Sequence, residues 1–343
     1  MLTAPHLTYS LLAPILVVLG GALVGVLVEA FLRPSVRRFS QVLITLATLA
    51  LALFEVLIVR NKESSVAAVT SVSIDKAGLF MQGTILVLAL VGTLFIADSE
   101  HFTAKAAAIP GSADEAQSIS EGSIQSEVFP LTLFAVSGML LFPVATDLIT
   151  LFVALEVLSL PLYLMAGLAR RRRLLSQEAA LKYFLLGAFS SAFFLFGGAF
   201  LYGYSGSLSL NGITDAIHGS GGNSVFLLIG IIFVSVGLLF KVGAVPFHNW
   251  TPDVYQGAPT PITGFMAACT KAAAFGAMLR IFYAGFEADA WQWKPIIAAI
   301  AVLTMVVGAL AAIGQRDIKR ILAFSSIAHA GFLLTAVVAL NKN

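Results

Sequence analysis

The sequence has 343 residues, of which 59% are hydrophobic and only 11% charged, with a formal net charge of +2. A soluble domain carries about 25% charged residues, so this chain has too little polar material to cover a surface that faces water on every side. Its apolar residues come in blocks of about 20, the length that crosses a hydrocarbon core of about 30 Å, and its single cysteine, Cys269, excludes disulfides and cysteine-ligated clusters.

Ten crossings are predicted, at 9–31, 40–59, 78–97, 128–145, 147–169, 178–204, 224–256, 261–285, 293–314 and 320–340. Lipid offers no partner to an unpaired backbone group, and no segment alternates with the period of two of a barrel strand. The expected fold class is therefore an all-α polytopic membrane protein. The first apolar block has no basic segment before it and no small-residue cleavage site after it, so it reads as a span rather than a signal peptide. Gly21 and Gly25 within it read as helix-packing positions. The 98–127 stretch is the only long polar insert; small, acidic and rich in Ser and Ala, it reads as a flexible loop.

The basic residues divide unevenly between the two sides. Arg33, Arg37, Arg38, Lys105, Arg170 to Arg173, Arg316, Lys319 and Arg320 fall on one, eleven in all, against Arg60, Lys62, Lys76, Lys294 and Lys342 on the other, which is five. The positive-inside rule makes the richer side cytoplasmic and puts the N-terminus outside. The Arg170–Arg173 run reads as a topology anchor.

The informative charged residues inside the predicted spans are Glu29, Glu55, Glu156, Glu178, Lys182, Lys241, Lys271 and Arg280. Glu29, Glu55, Glu178 and Arg280 lie near span ends, where long side chains reach the interface. Lys182 is also near the start of its span, and snorkelling accounts for it as well as function does. Glu156 and Lys271 sit ten or eleven residues into their crossings and cannot escape so easily. An intramembrane lysine costs about 2.5–3.5 kcal/mol on insertion scales, so such residues point to a function. A structural ion pair between helices is the competing reading, although packed apolar residues would serve that purpose at lower cost.

The 224–256 segment would be about 48 Å long as one helix, too long for a straight crossing. It contains Lys241, Gly243 and Pro246, and the proline removes a backbone donor and clashes with the preceding turn. A broken helix at Gly243–Pro246 is predicted, with Lys241 beside the break. Irregular backbone at that depth is tolerated only inside protein or along a wet cavity, the usual setting of an ion site in transporters. His248, just past the proline, is a candidate proton relay. Burial and nearby opposite charge push the titration of Lys and Glu in opposing directions, so such groups are suited to proton handling.

The stretch from Phe240 to Pro261, FKVGAVPFHNWTPDVYQGAPTP, closely resembles the signature of the N-type subunit (subunit 2 in organelles) of respiratory NADH:quinone oxidoreductase, complex I. Blocks around Glu156 (LEVLSLPLYLMAGL), Lys182 (EAALKYFLLGAFSSA), Lys271 (TKAAAF) and His329 (QRDIKRILAFSSIAHAGF) are similar to the same family, so the resemblance spans 150–335. Sister antiporter-like subunits share the Lys–Pro break but differ in the DVYQGAP run.

The resemblance implies a fold of about fourteen helices with two inverted five-helix repeats, each with one broken helix. Residues 1–97 would then form an N-terminal three-helix segment, 98–127 a cytoplasmic loop, 128–285 the first repeat, and 286–343 the start of the second. It implies that Glu156 and Lys241 form a modulating pair, that Lys182 tunes it, that Lys271 passes protons along a central polar axis, and that His248 and His329 are relay candidates. It further implies no metal and no cofactor in this subunit. NADH, flavin, iron–sulfur clusters and quinone would belong to other parts of the complex. Partners would be adjacent antiporter-like and small membrane subunits and the lipid of a bacterial inner membrane, with no nucleic acid. The family continues for roughly four crossings past the position of Asn343, where a second broken helix and lysine are expected. The sequence therefore reads as a fragment, expected to insert but not to translocate protons alone. Two rivals stand beside this reading: a subunit of a multi-subunit cation/proton antiporter, and a membrane scaffold. The first predicts no iron–sulfur or flavin partners, and the second has no need of Glu156, Lys241 and Lys271 together.

Overall fold

The computed structural model describes residues 7–60, 65–68, 71–98, 109, 111–120, 125–169, 173–219 and 224–339. Among these, nine helices are long and apolar enough to cross a membrane, and Val128–Val144 is a shorter apolar one. The architecture is that of a multi-pass α-helical membrane protein. Lys62, Lys105, Arg170 to Arg172 and Lys342, which enter the charge asymmetry, lie outside the described residues.

Helices α1 (Tyr9–Phe31), α2 (Pro34–Val59) and α3 (Lys76–Ile96) form the N-terminal group. Pro34 at the first position of α2 has its φ preset for a helix and needs no donor there; this is why α2 begins six residues before the expected 40. Asp75 caps α3 by accepting the Gly78 amide at 2.7 Å. Between α2 and α3 the chain departs from the all-helical expectation, because Ser65–Ala68 (β1) pairs antiparallel with Val72–Ile74 (β2). Strands this short carry too few residues to display alternation. Their edges are used rather than left bare: Val72 bridges Ala145, and the Thr146 amide donates to the Ser71 carbonyl at 2.9 Å.

The 98–127 insert is not wholly a loop. Ala113–Ser120 forms helix α4, about two turns built from good helix formers such as Ala, Glu and Gln. Residues 99–108, 110 and 121–124 of that insert lie outside the described residues. Helix α5 (Val128–Leu141) tightens into a 3-10 turn at Phe142–Val144, and α6 (Leu148–Ala166), capped by Asp147, runs back beside it. Their contact centres on Gly138, where a Cβ would stand 2.4 Å from the Leu158 nitrogen, so only glycine permits the approach. Helix α7 (Arg173–Ser205) packs along α9 (Ser224–Val242). Between them lies the short α8 (Leu210–His218), capped by Ser209, which is too short to register as a crossing.

The 224–256 segment is broken at Gly243–Pro246, as expected. Helix α9 ends at Val242, and α10 occupies Trp250–Gly257. Gly243 has φ +75, its amide donates to the Phe240 carbonyl at 3.0 Å, and the Ala244 amide reaches the Leu239 carbonyl at 2.9 Å. This is the Schellman ending, and it needs a residue that tolerates the left-handed region. The next free donor, the Val245 amide, is taken at 3.0 Å by the Thr304 hydroxyl from a distant helix. The Trp250 indole donates to the Phe240 carbonyl at 2.9 Å. The break thus satisfies its backbone groups from within the protein, which lipid could not do.

Helix α11 (Thr260–Phe265) continues through a π turn, Met266–Thr270, into α12 (Lys271–Arg280). Helices α13 (Ala290–Ile313) and α14 (Ile318–Ala339) pack as a hairpin. Arg280 does not snorkel to a free interface. It is bound to Asp75 at 2.5 Å and donates to the Pro143 carbonyl at 3.1 Å, tying α12 to the start of α3 and the end of α5. Burial by itself would raise the Asp75 carboxyl, but the hydrogen bonds from Arg280 and the Gly78 amide outweigh it and hold the group below its ordinary range.

Candidate functional site

Lys241 lies in the last turn of α9, one residue before the helix stops, and only 4% of it is exposed. Its ammonium donates to the Ser159 hydroxyl at 2.7 Å and contacts the Tyr183 hydroxyl at 3.4 Å. The rings of Tyr163 and Tyr183 lie 6.0 and 5.5 Å from the nitrogen, a cation–π arrangement that offsets part of the lost hydration. Glu156, the expected partner, is one helical turn before Ser159 on α6, within electrostatic range of Lys241. No ion pair joins Glu156 and Lys241 among the described residues, and the buried Glu156 Oε1 has no hydrogen-bond partner. A hydroxyl, not the carboxylate, holds the ammonium.

Lys271 opens α12 immediately after the π turn, and it is 8% exposed. Such π turns recur at functional sites, because the extra residue re-aims the side chains that follow. The Lys271 ammonium donates to both the backbone oxygen and the hydroxyl of Ser326 on α14, each at 2.5 Å. The Tyr255 hydroxyl lies near the Ser326 side chain. Lys271 and Ser326 line a cavity of about 580 Å³ that also takes in Ser325 and His329. His329 is exposed, and its Nδ1 is 2.8 Å from the Ser325 carbonyl, which makes that nitrogen the donor.

A row of aromatic rings lies between the two lysines. Tyr183 stacks on Trp250 with centroids 4.7 Å apart and planes at 7°, and Trp250 meets Tyr255 edge-on at 6.1 Å. The Trp250 N–H is already committed to the Phe240 carbonyl, so the indole separates the Lys241 pocket from the Tyr255–Ser326–Lys271 set. His248 sits in the break itself, half-buried, with Nδ1 unpartnered and the ring 6.5 Å from Phe324.

Lys182 belongs to a different setting. Its side chain is 40% exposed and makes ion pairs with Glu178 at 2.6 Å and Asp253 at 2.7 Å. Asp253 is shared with Arg320 at 2.7 Å, and Lys319 donates to the Ala258 carbonyl, also at 2.7 Å, at the C-terminal end of α10. This network ties α7, α10 and α14 together near their ends. The structure thus encloses both Lys241 and Lys271, with Glu156 within electrostatic range of the first, His329 lining the cavity of the second, and Lys182 in a separate, partly exposed ion-pair network.

Sequence reasoning passed over Ser159, Tyr163, Tyr183, Trp250, Asp253, Tyr255 and Ser326. Ser159 carried one signal: it follows Glu156 by three, a spacing that puts both on one helix face. Ser326 carried none and Tyr255 only its place in the DVYQGAP run, since their role depends on a contact between α10, α12 and α14. Among the described residues no group of His, Cys, Asp and Glu could hold a metal ion.

The sequence model of the family described as "NADH:quinone oxidoreductase/Mrp antiporter, TM" matches residues 145–343. A relative named NADH-quinone oxidoreductase subunit N from Parafrankia sp. (strain EAN1pec) is 53% identical over 346 residues, covering 99% of this chain and 66% of the relative. One of the same name from Rhodococcus opacus (strain B4) is 53% identical over 364 residues, covering 99% and 67%. The one from Mycobacterium tuberculosis (strain ATCC 25618 / H37Rv) is 51% identical over 364 residues, covering 99% and 68%. The chain spans about two thirds of the length of these relatives, just under that share for the first. Among solved structures, a chain of respiratory complex I from Thermus thermophilus with bound aureothin is 35% identical, with a TM-score of 0.74, covering 94% of this chain and 64% of that one. A chain of the Mrp complex from Dietzia sp. DQ12-45-1b is 20% identical with a TM-score of 0.78, covering 98% and 60%, a likeness of fold alone.

Proposed function

The chain belongs to the antiporter-like NADH:quinone oxidoreductase family, in its subunit N branch, and on that premise we propose that it forms part of a proton-translocating membrane subunit of NADH:quinone oxidoreductase. Protons move through Glu156, Lys241 and Lys271, with Lys182 tuning the first pair and His248 and His329 as relays. The subunit is not redox-active: NADH, flavin, iron–sulfur clusters and quinone belong to other parts of the complex, which drive this one by conformational or electrostatic coupling. Its partners are the neighbouring antiporter-like and small membrane subunits, in a bacterial inner membrane. The N-terminus lies outside, and the 98–127 insert and Arg170 to Arg173 are cytoplasmic, following the excess of basic residues on that side.

One observation supports this reading above the rest. Two lysines less than a tenth exposed, one beside a helix break and the other just after a π turn, are held by neutral hydroxyls and a backbone carbonyl instead of carboxylates. A structural lysine at that depth would be paired, because an unpaired buried charge is costly. A hydroxyl can accept from an ammonium or donate to a neutral amine, so it serves a lysine in either protonation state. The antiporter reading shares the fold, but the curated relatives at 51–54% identity carry the name NADH-quinone oxidoreductase subunit N. The test is NADH-driven acidification of inverted vesicles carrying the full-length subunit in its assembled complex. Lys241→Ala and Glu156→Ala should pump poorly and Glu156→Asp better, since it keeps a carboxylate; normal pumping by both alanine variants refutes the reading. Reporter fusions in the 98–127 insert should report the cytoplasm, and a periplasmic signal would reverse the orientation.

A further inference from the structure

Glu156 and Lys241 make no ion pair, and the nearest partner of the ammonium is Ser159, which follows Glu156 by three residues on α6. Its hydroxyl accepts from the Lys241 ammonium at 2.7 Å and donates to the Leu155 carbonyl one turn back on α6. Only 1% of Ser159 is exposed, and its other polar neighbour is the Tyr163 hydroxyl, one turn further along α6. The other group within reach of the ammonium, the Tyr183 hydroxyl, is longer at 3.4 Å, and Tyr183 is fixed by its stack on Trp250. Ser159 is therefore the strongest single partner Lys241 has.

We propose that Ser159 is a positioning residue that holds the Lys241 ammonium off the Glu156 carboxylate, so that the pair is made and broken by a swing of one side chain between hydroxyl and carboxylate. The inference rests on the proton-transfer reading above. Its physical basis is the strength of a closed pair in a desolvated pocket. A buried lysine and glutamate in direct contact are hard to separate, and a locked pair neither accepts nor releases a proton readily. Ser159 follows Glu156 by three residues, which puts the two on one face of α6 about one turn apart. A change of rotamer in the lysine stem makes that step, with about one helical turn to cover. The Leu155 carbonyl orients the hydroxyl, leaving its lone pairs toward Lys241. The device adds no charge to the pocket, so it biases where the ammonium rests without competing with Glu156 for the proton.

The experiment uses the full-length subunit in its assembled complex, in inverted vesicles, with NADH-driven proton pumping measured against subunit content. Ser159→Ala removes the acceptor with almost no change in volume, and pumping should fall about tenfold, the lower range for loss of a hydrogen bond to a charged group. Ser159→Thr keeps the hydroxyl and should recover pumping to within about threefold of the parent, since only a methyl is added. In a Glu156→Gln background, Ser159→Ala should add no further loss, because with no carboxylate there is nothing to hold Lys241 away from. Lys241→Ala is run alongside. If it abolishes pumping while Ser159→Ala pumps like the parent, the role of Ser159 is overturned and the broader reading stands. A Ser159→Ala loss that simply adds to that of Glu156→Gln makes the serine a packing residue and also overturns the proposal. If Lys241→Ala pumps normally, it is the broader reading that fails.

Discussion

Lys182 and Lys241 are the same residue type on neighbouring helices, yet they live in opposite chemical conditions. Lys182 is 40% exposed at the side chain and has two carboxylates, Glu178 and Asp253, within 2.7 Å. Lys241 is almost wholly enclosed, and its hydrogen-bond partners are hydroxyls. Screened pairs of the first kind contribute little, typically 0–1 kcal/mol at a surface. An enclosed ammonium without a paired anion is costly to keep charged, so its protonation is open to influence from its surroundings. Lysine identity thus carries less information than depth and partner.

The largest effect should come from replacing the two enclosed lysines with arginine. Arginine retains its charge at any working pH and is bulkier, so Lys241→Arg and Lys271→Arg should each lower NADH-driven pumping by about tenfold or more in the assembled complex. Lys182→Arg keeps both ion pairs and should pump within about twofold of the parent, since a surface pair tolerates the exchange. Equal losses at the three positions, normalised to subunit content, would erase the contrast between buried and exposed lysines.

A second test concerns the break that creates the enclosed pocket. Thr304→Val removes the acceptor of the Val245 amide and leaves a buried donor unpaired. The cost should be about 1–3 kcal/mol, read as a lower unfolding midpoint of the purified complex and a lower yield of assembled subunit. Thr304→Ser keeps the hydroxyl and should lie close to the parent. If valine is as stable as serine, some other group satisfies the break.

The smallest effect sharpens the comparison at the membrane edge, where Arg280 and Asp75 form a pair like that of Lys182. The Asp75 carboxyl lies below its ordinary range, despite burial, because Arg280 and the Gly78 amide bind its ionised form. A carboxylate depressed in the folded state contributes stability that is fully present above the unfolded value, near 3.9, and is lost as pH falls through the lower folded value. Asp75→Asn should therefore be destabilised by about 1 kcal/mol at pH 7. Its deficit should shrink as pH approaches 3, followed by thermal denaturation in detergent across that window. A deficit that stays constant down to pH 3 would assign the loss to the cap on α3 instead of the ion pair.

Much of the architecture was legible from the chain alone because lipid enforces simple rules. Apolar blocks of spanning length must be helices, and Gly243 with Pro246 in an overlong block must break one; the break appears where those residues sit, with Lys241 at its edge. Signals that depend on long apolar runs were silent on short elements, so the β1–β2 hairpin, α4 and α8 were missed. A charge deep in a span is conspicuous by its cost, which is why Glu156, Lys241 and Lys271 could be singled out.

Their partners could not be found that way. Ser159, Tyr183 and Ser326 are small or amphipathic residues that cost little anywhere in a helix, and what sets them apart is a contact with a residue 82, 58 or 55 positions away. The same holds for Thr304, which caps a break 59 residues distant, and for Asp253, shared by lysine and arginine from two other helices. Sequence alone fixed where charge must be buried and where the helix must yield, because those follow from the price of placing a residue in lipid. Which hydroxyl meets which ammonium was decided only by tertiary packing, since a hydrogen bond depends on the meeting of two helices that local sequence does not describe.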